Sequence, residues 1–486
     1  MFSSSAVLLL GWGAVAFGAE YSWAYAPLLV FSVVVGVFGL LASAGGHFPA
    51  RSLGFALAAI FVGGLLQLMP LSQRTIRMVS PASVVDDYRQ LYAKMTMQPL
   101  EPTMPLDGGA LRPVSIAPSR TVLGLTFLAV LTMLFVACTR GVSAVGPHGI
   151  ARGVLALALL VALLELMQRA SGSDVVYGFW YAPQPKGYHS APFINRNHTA
   201  GWLLMALSLS AGYLAGGVAT GLRGVRPGWR DRILWLSSRD ASETLLTGFA
   251  IAVMAIAIVV TASRSGSFCL ALVILMFVSW GTRRQLSVSR KVIASAYLLG
   301  VVLAAVSLGG MDRLAGRLND TSWWDLDGRL NVWQDTIRII QDSPLTGTGL
   351  NTYGIAMLRY QTVRDGSQYI EAHNDYLQIV AEGGLLLGLP ILLSLMLFIR
   401  EIWRRFREKN DDTATYWLRA GAAVGLCAIV TQETVDFTLQ MPGAAVLFVV
   451  LAVIAIHRPD YLRRGAAAAP AHITEESTLV QWRNRL

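Results

Sequence analysis

The sequence predicts an all-α polytopic membrane protein with about twelve transmembrane helices. Three observations carry this. Of 486 residues, 54% are hydrophobic and 14% charged, and the mean hydropathy is +0.52; a soluble domain carries about a quarter charged residues. Apolar runs of about 18 or more residues recur along the whole chain, long enough to cross a bilayer. Lys and Arg fall in alternate connections between those runs, as they do when helices thread a membrane in turn.

Spans are expected at roughly 4–20, 26–45, 53–70, 121–138, 150–167, 199–219, 244–262, 266–280, 292–308, 375–399, 416–432 and 440–457. The first run could instead be a signal peptide cut near Ala16–Ala19, but it lacks a positive n-region, which favours a retained helix. With the N-terminus in the cytoplasm, the inner connections carry Arg51, then Arg140 and Arg152, then five arginines between Arg223 and Arg239. Arg283, Arg284, Arg290 and Lys291 follow, then the group from Arg400 to Lys409, then Arg458, Arg463 and Arg464. The short loops on the other side are poor in both residues, so both termini are expected inside. The segments 71–120, 168–198 and 309–374 then lie outside. The chain divides into N-terminal spans (1–170), a core containing the largest outer loop (171–460) and a cytoplasmic tail (461–486).

The net charge of +10 would suggest nucleic-acid binding in a soluble protein. Here the basic residues are topogenic, and no nucleic-acid partner is expected. Cys138, Cys269 and Cys427 lie in or beside separate apolar runs, which argues for small buried apolar residues rather than a disulfide or metal framework. In the largest outer loop, Asp327 can cap a helix with Leu330, Trp333, Ile337 and Ile340 on one face, and the Pro and Gly of "DSPLTGTG" end it. Such a helix, with Trp and Arg beside a membrane, is expected to lie on the interface.

Four polar clusters sit at the outer ends of spans. "FINRNHTAG" places Asn195, Arg196, Asn197 and His198 before a helix, where Arg and a helix N-terminus together suit an anion. A topogenic flank would also end the loop there. "TASRSGSF" puts Arg264 and three serines in a very short outer turn, against the charge trend; anion binding or a snorkelling Arg would account for it. "EAHNDYLQIVAEGG" begins with Glu371, His373, Asn374 and Asp375 at a helix mouth. A neutral His373 can take a proton from a hydroxyl, with Glu371 orienting it or sharing the task. Asn374 or Asp375 can serve as N-cap, the preferred arrangement being Asp375 capping while His373 faces a cavity. Glu382, two turns further in, is costly within the membrane and therefore a functional candidate. "TQETVDFTLQMPG" carries Glu433 and Asp436, which would suit a polar hairpin as well as a site. "GTGLNTYG" has no preceding strand and gives no nucleotide site.

Two outer arginines can neutralise a diphosphate while a histidine deprotonates an alcohol. Together they suit displacement of a lipid-linked diphosphate by an acceptor hydroxyl. The leaving group is good, arginines stabilise its developing charge, and no metal or other cofactor is required.

"HNDYLQIVAEGGLLLGL" resembles the C-terminal signature of the O-antigen ligase and O-antigen polymerase superfamily. "INRNHTAG", "TASRSG", "GRLNVWQDTIRIIQDSPLTGTGLNTY" and "VDFTLQMPG" resemble its other segments, in the expected order, over about residues 190–450. The resemblance implies a GT-C-like glycosyltransferase of the bacterial inner membrane, acting on the periplasmic face without a metal and with inversion. The donor would be a glycan on undecaprenyl diphosphate. The acceptor would be lipid A–core, a growing glycan or a protein hydroxyl. By motif position Arg264 and Arg196 would bind the diphosphate, with Asn197 and Arg329 beside them, and His373 would be the base, supported by Glu371 and Asp375. Arg169 and Arg329 are rival outer arginines. Ligase and polymerase stay unseparated. The alternative from another class is a transporter or flippase for lipid-linked sugars, which predicts broken helices and midplane charges such as Glu165 and Glu382. A third is a non-catalytic scaffold of a polysaccharide assembly complex.

Overall fold

The computed structural model describes residues 1–41, 51–79, 111–181, 189–221, 230, 237–283, 324–363, 368–408 and 412–458. The predicted span at 292–308, the tail, and most of the segment 71–120 lie outside the described residues. The all-α polytopic expectation holds. Among the described residues, seven helices are long and apolar enough to cross a membrane: α2 (Ser22–Leu41), α5 (Pro118–Val145), α6 (His148–Ser171), α7 (Arg196–Gly221), α8 (Arg239–Val260), α12 (Asp375–Arg407) and α13 (Thr413–Gln432). Four shorter apolar helices coincide with further predicted spans: α1 (Phe2–Val15), α3 (Arg51–Leu66), α9 (Arg264–Arg283) and α14 (Pro442–Ala455). A short α4 (Gln73–Val79) and three two-stranded antiparallel pairs decorate the loops: β1 (Pro70–Leu71) with β2 (Arg112–Pro113), β3 (Val175–Val176) with β4 (Trp180–Tyr181), and β5 (His189–Ser190) with β6 (Ile194–Asn195).

Helix α7 is the hub. It packs on α6, α8, α9, α13 and α14, and every residue from His198 to Ser210 is buried. Lipid tails are as apolar as leucine, so close backbone packing and hydrogen bonds position such helices more than apolar burial does. The α7–α13 crossing is closed by Gly212 and Gly421: a Cβ on Gly212 would lie 2.8 Å from the Gly421 Cα. That contact sets the first turn of α7 beside the last turn of α13, where Gln432 Nε2 donates to the Asn197 carbonyl at 3.0 Å.

The connections assigned to the outer side meet at one end of the bundle. The Tyr177 hydroxyl donates to the Val15 carbonyl, and Arg169 Nη2 donates to the Thr261 carbonyl. At the opposite end the fully buried Arg419 donates to the carbonyls of His457 and Arg405, which terminate α14 and α12. Helix α12 also runs further than predicted: Arg400, Arg404, Arg405 and Arg407 belong to it rather than to a loop.

Within α12 the backbone breaks at Gly384 (φ 54°, ψ −152°). The chain segment 344–349 fills the break. Leu385 and Leu386 amides donate to the Pro344 and Leu345 carbonyls, and the Thr348 and Gly349 amides donate to Ala381 and Glu382. Non-helical backbone in a bilayer has to be satisfied by protein in this way. Gln67, fully buried after α3, holds the same segment through Thr346, Glu382 and Leu350.

Among the described residues, two helices occupy the segment expected to form the largest outer loop, α10 (Trp324–Asp342) and α11 (Tyr353–Tyr360). Helix α10 corrects the expectation. It begins before Asp327, so Asp327 lies inside the first turn and is not the cap. Its buried face is Val332, Thr336 and Ile339, packed on α11, Ala372 and Ala381, while Leu330 and Ile337 are each 43% exposed. Thr336 bonds the Tyr353 hydroxyl, and that polar pair selects a face that apolar periodicity alone does not. The helix is docked on protein, not simply laid on the interface. The cysteines need one correction as well: Cys138 and Cys269 are buried, but Cys427 is exposed on the outer surface of α13, where a thiol is apolar enough to face lipid.

Candidate functional site

All four polar clusters come together at one end of the bundle. Asn195 opens α7, its side-chain oxygen accepting from the Asn197 amide at 2.9 Å, so Arg196 stands at the helix N-terminus. Ser263 caps α9 by accepting from the Gly266 amide at 3.1 Å, which puts the exposed Arg264 first in that helix. Ser263 Oγ also donates to Asn197 Oδ1 at 2.8 Å. The two arginine-bearing helix starts are therefore tied directly to each other. The residues before both, Ile194 and Ala262, are left-handed (φ 61° and 56°).

His373 is left-handed too, with φ 51°. That conformation is uncommon outside glycine and persists where the surroundings fix it. The Trp333 indole of α10 donates to the preceding Ala372 carbonyl at 3.0 Å, and the Ala372 amide donates to Gln378 at 2.9 Å. Asn374, not Asp375, is the N-cap of α12, accepting from the Leu377 amide at 3.0 Å. The competing carboxylate is drawn elsewhere: Asp375 Oδ1 accepts from Gln440 Nε2 at 2.7 Å. Asn374 Nδ2 and the Asp375 amide then bond the carbonyls of Thr434 and Glu433. These bonds dock the mouth of α12 onto the α13–α14 turn.

Phe437 in that turn sits between two imidazoles, its ring 4.9 Å from His373 and 4.7 Å from His198, edge to face with both. Buried His198 lies 3.8 Å from Asp436, whose carboxyl is pushed up to about 6 by burial, with the nearby Arg329 pulling it down. The carboxyl of Glu433 is raised by burial and by Asp375 opposite it. Among the described residues, His198, Gln432, Asp436 and Thr438 each retain buried side-chain atoms without a hydrogen-bond partner. Glu371 accepts from Gln378 Nε2 at 2.7 Å, and its carboxyl is raised to about 8, chiefly by burial. Among the described residues no group of three or more His, Cys, Asp or Glu side chains could hold a metal ion.

The other candidates resolve differently. Arg169 is bound to Glu165 at 2.9 Å, so its charge is already matched, whereas Arg329 lies near Asp436. Glu165 also accepts from Ser190 and the Ala191 amide. Glu382 accepts from the amides of Asn351 and Tyr353 at 2.7 and 3.0 Å, clasping "GTGLNTYG" and starting α11. Both intramembrane carboxylates are thus spent on backbone and side chains of the protein itself. His198, Gln432 and Phe437 were given no role by the sequence. Density of donors around Arg196 was the local signal for His198, and apart from lying in the quoted segment "VDFTLQMPG" nothing in the sequence marks Phe437.

The fold and site define an all-α polytopic membrane protein with a histidine- and arginine-bearing polar site at one end of the bundle. Residues 249–392 match the family model described as O-antigen ligase. The chain is also 24% identical over 209 residues to the exopolysaccharide production protein ExoQ of Rhizobium meliloti (strain 1021), a match covering 41% of this chain. It spans about half the length of that curated relative, 46%. Both similarities support a relation to the O-antigen ligase and O-antigen polymerase superfamily. The matched family segment contains Arg264, Arg329 and His373; Arg196, His198 and Asp436 come from outside it.

Proposed function

We propose that the protein is a membrane glycosyltransferase of surface polysaccharide biosynthesis. It moves a glycan from undecaprenyl diphosphate to an acceptor hydroxyl at the periplasmic face of the inner membrane. The observation that carries this reading is the meeting of the four distant polar segments: Phe437 touches both His373 and His198, and Ser263 ties the start of α9 to Asn197 next to His198.

His373 takes the proton of the acceptor hydroxyl as its oxygen bonds to the anomeric carbon. The anomeric C–O bond to the diphosphate breaks, and the diphosphate leaves with the electron pair. Arg196 and Arg264, aided by the helix N-termini they sit on, stabilise its charge, with Asn197 and Arg329 at the margin. A single displacement inverts the anomeric centre. The reaction asks for no metal, because arginines carry the charge that a metal would otherwise neutralise. Asp375 and Glu371 support the mouth of α12 through Gln440 and Gln378.

The reading from another class is transport of the lipid-linked sugar. Two observations weigh against it: Glu165 and Glu382 are bound within the protein, and the break in α12 is filled by the protein's own chain. The deciding experiment is transfer by purified protein supplied with lipid-linked donor. Full activity of both His373→Ala and Arg264→Ala would refute the assignment of these residues, and no transfer by the unaltered protein would refute the transferase. Deletion of the gene separates its branches: single units on the normal carrier indicate a polymerase, full-length chains left on the lipid a ligase.

A further inference from the structure

A cluster of aromatic side chains at the site end plays no part in the chemistry above. Phe17 and Tyr21 come from the turn between α1 and α2, Trp23 from the first turn of α2, and Tyr177 and Trp180 from the β3–β4 hairpin. Phe17, 4% exposed, is the root: its ring lies 4.9 Å from Trp180 and 5.3 Å from Tyr177. Tyr21 lies 5.2 Å from Trp180 and parallel to Trp23, with 7° between the planes. Trp23 is 48% exposed, so a flat indole face is presented on a fixed base.

The position of the cluster matters more than its composition. Gly18, between Phe17 and the rest of the turn, packs so tightly on Phe193 that a Cβ there would meet the ring at 2.6 Å. Phe193 stands three residues before Arg196, and Phe17 shares a small buried core with Ile194. On the other side, Glu20 of the same turn is close enough for its charge to act on Glu371, two residues before His373. The aromatic cluster is therefore anchored on the hairpin that leads into the arginine-bearing helix.

We propose that Trp23, with Tyr21 and Trp180 behind it and Glu20 at its rim, is a saccharide subsite. It stacks a pyranose ring of the glycan carried on the diphosphate. The apolar C–H face of a sugar suits an aromatic plane, and a carboxylate accepts bonds from the hydroxyls at the ring edge. This rests on the transferase reading, because a diphosphate at Arg196 is what places its sugar within reach of the cluster. The competing occupant is lipid, since Trp and Tyr also gather at membrane interfaces.

Two probes separate the possibilities in titration calorimetry of the full-length protein in nanodiscs. One is undecaprenyl diphosphate, which has no sugar. The other is the oligosaccharide released by mild acid from the polyprenyl-linked glycans of the native membrane, which has no lipid. The oligosaccharide should bind Trp23→Ala at least about tenfold more weakly than the unaltered protein, with Trp23→Phe restoring binding. Undecaprenyl diphosphate should bind both alike and lose at least about tenfold in Arg264→Ala. Oligosaccharide binding that is equal in the unaltered protein and Trp23→Ala, or undetectable in both, overturns the subsite, as does Trp23 emission quenched by brominated phosphatidylcholine regardless of oligosaccharide. Failure of undecaprenyl diphosphate to bind the unaltered protein overturns the transferase reading instead. An unchanged melting temperature of Trp23→Ala identifies its loss as local.

Discussion

Ser263 Oγ donates to Asn197 Oδ1 at 2.8 Å, joining the start of α9 to the start of α7. Arg264 and Arg196 are the sequence neighbours of these two residues, so one short bond sets the separation of two guanidinium-bearing helix ends. Preorganised donors need no rearrangement as charge develops on a leaving group. Asn197→Ala and Ser263→Ala should each lower the initial rate of glycan transfer by about tenfold, against about 100-fold or more for Arg264→Ala and His373→Ala. Rates in detergent with purified lipid-linked donor test the ranking. If the two bond-breaking variants keep full rate, the tie does not hold the arginines.

Phe437 touches both imidazoles, yet it has no polar atom to contribute. Its task is positional: the ring fixes the plane of His373, whose backbone is already left-handed. Phe437→Leu keeps an apolar side chain but removes the flat contact. It should cut kcat by about tenfold with KM for the donor nearly unchanged. A rise in KM alone would mean that Phe437 serves donor binding instead.

Glu382 was the costly residue in the sequence, and its cost is met by two backbone amides. Glu382→Ala would strand the Asn351 and Tyr353 amides in a buried place, at about 1–3 kcal/mol each. The melting temperature should fall by several degrees. Glu382→Gln, which keeps one acceptor, should fall in between. A variant that melts normally but fails to handle donor would instead give Glu382 a direct part in the pathway.

Glu371 supplies a pH dependence. Its carboxyl is raised from 4.5 to about 8, chiefly by burial. The folded protein holds that proton more tightly than the unfolded chain does. The stabilisation is therefore complete below pH 4.5 and is lost as pH rises through about 8. Glu371→Gln should flatten the fall in melting temperature between about pH 5 and about pH 9. An identical fall in both proteins would place the titrating group elsewhere.

The sequence by itself determined the class. Eleven of the twelve expected spans coincide with described helices, because an apolar run long enough to cross a bilayer has few alternatives to a helix. It also marked all four polar clusters, because a charge or a dense set of donors beside a span is costly enough to stand out. What it left open was which clusters meet. Asp375 and Asn374 are equivalent as caps until Gln440, 65 residues away, engages the carboxylate. Arg169 and Arg329 are equivalent outer arginines until Glu165 claims one of them. The inward face of α10 is decided by Tyr353, and the partners of His373 by a phenylalanine that no local pattern distinguishes. Local energetics act over a few residues and can be read along the chain. Pairings between Asn197 and Ser263, or His373 and Phe437, join segments more than sixty residues apart, and only the packing of the helices that carry them decides them.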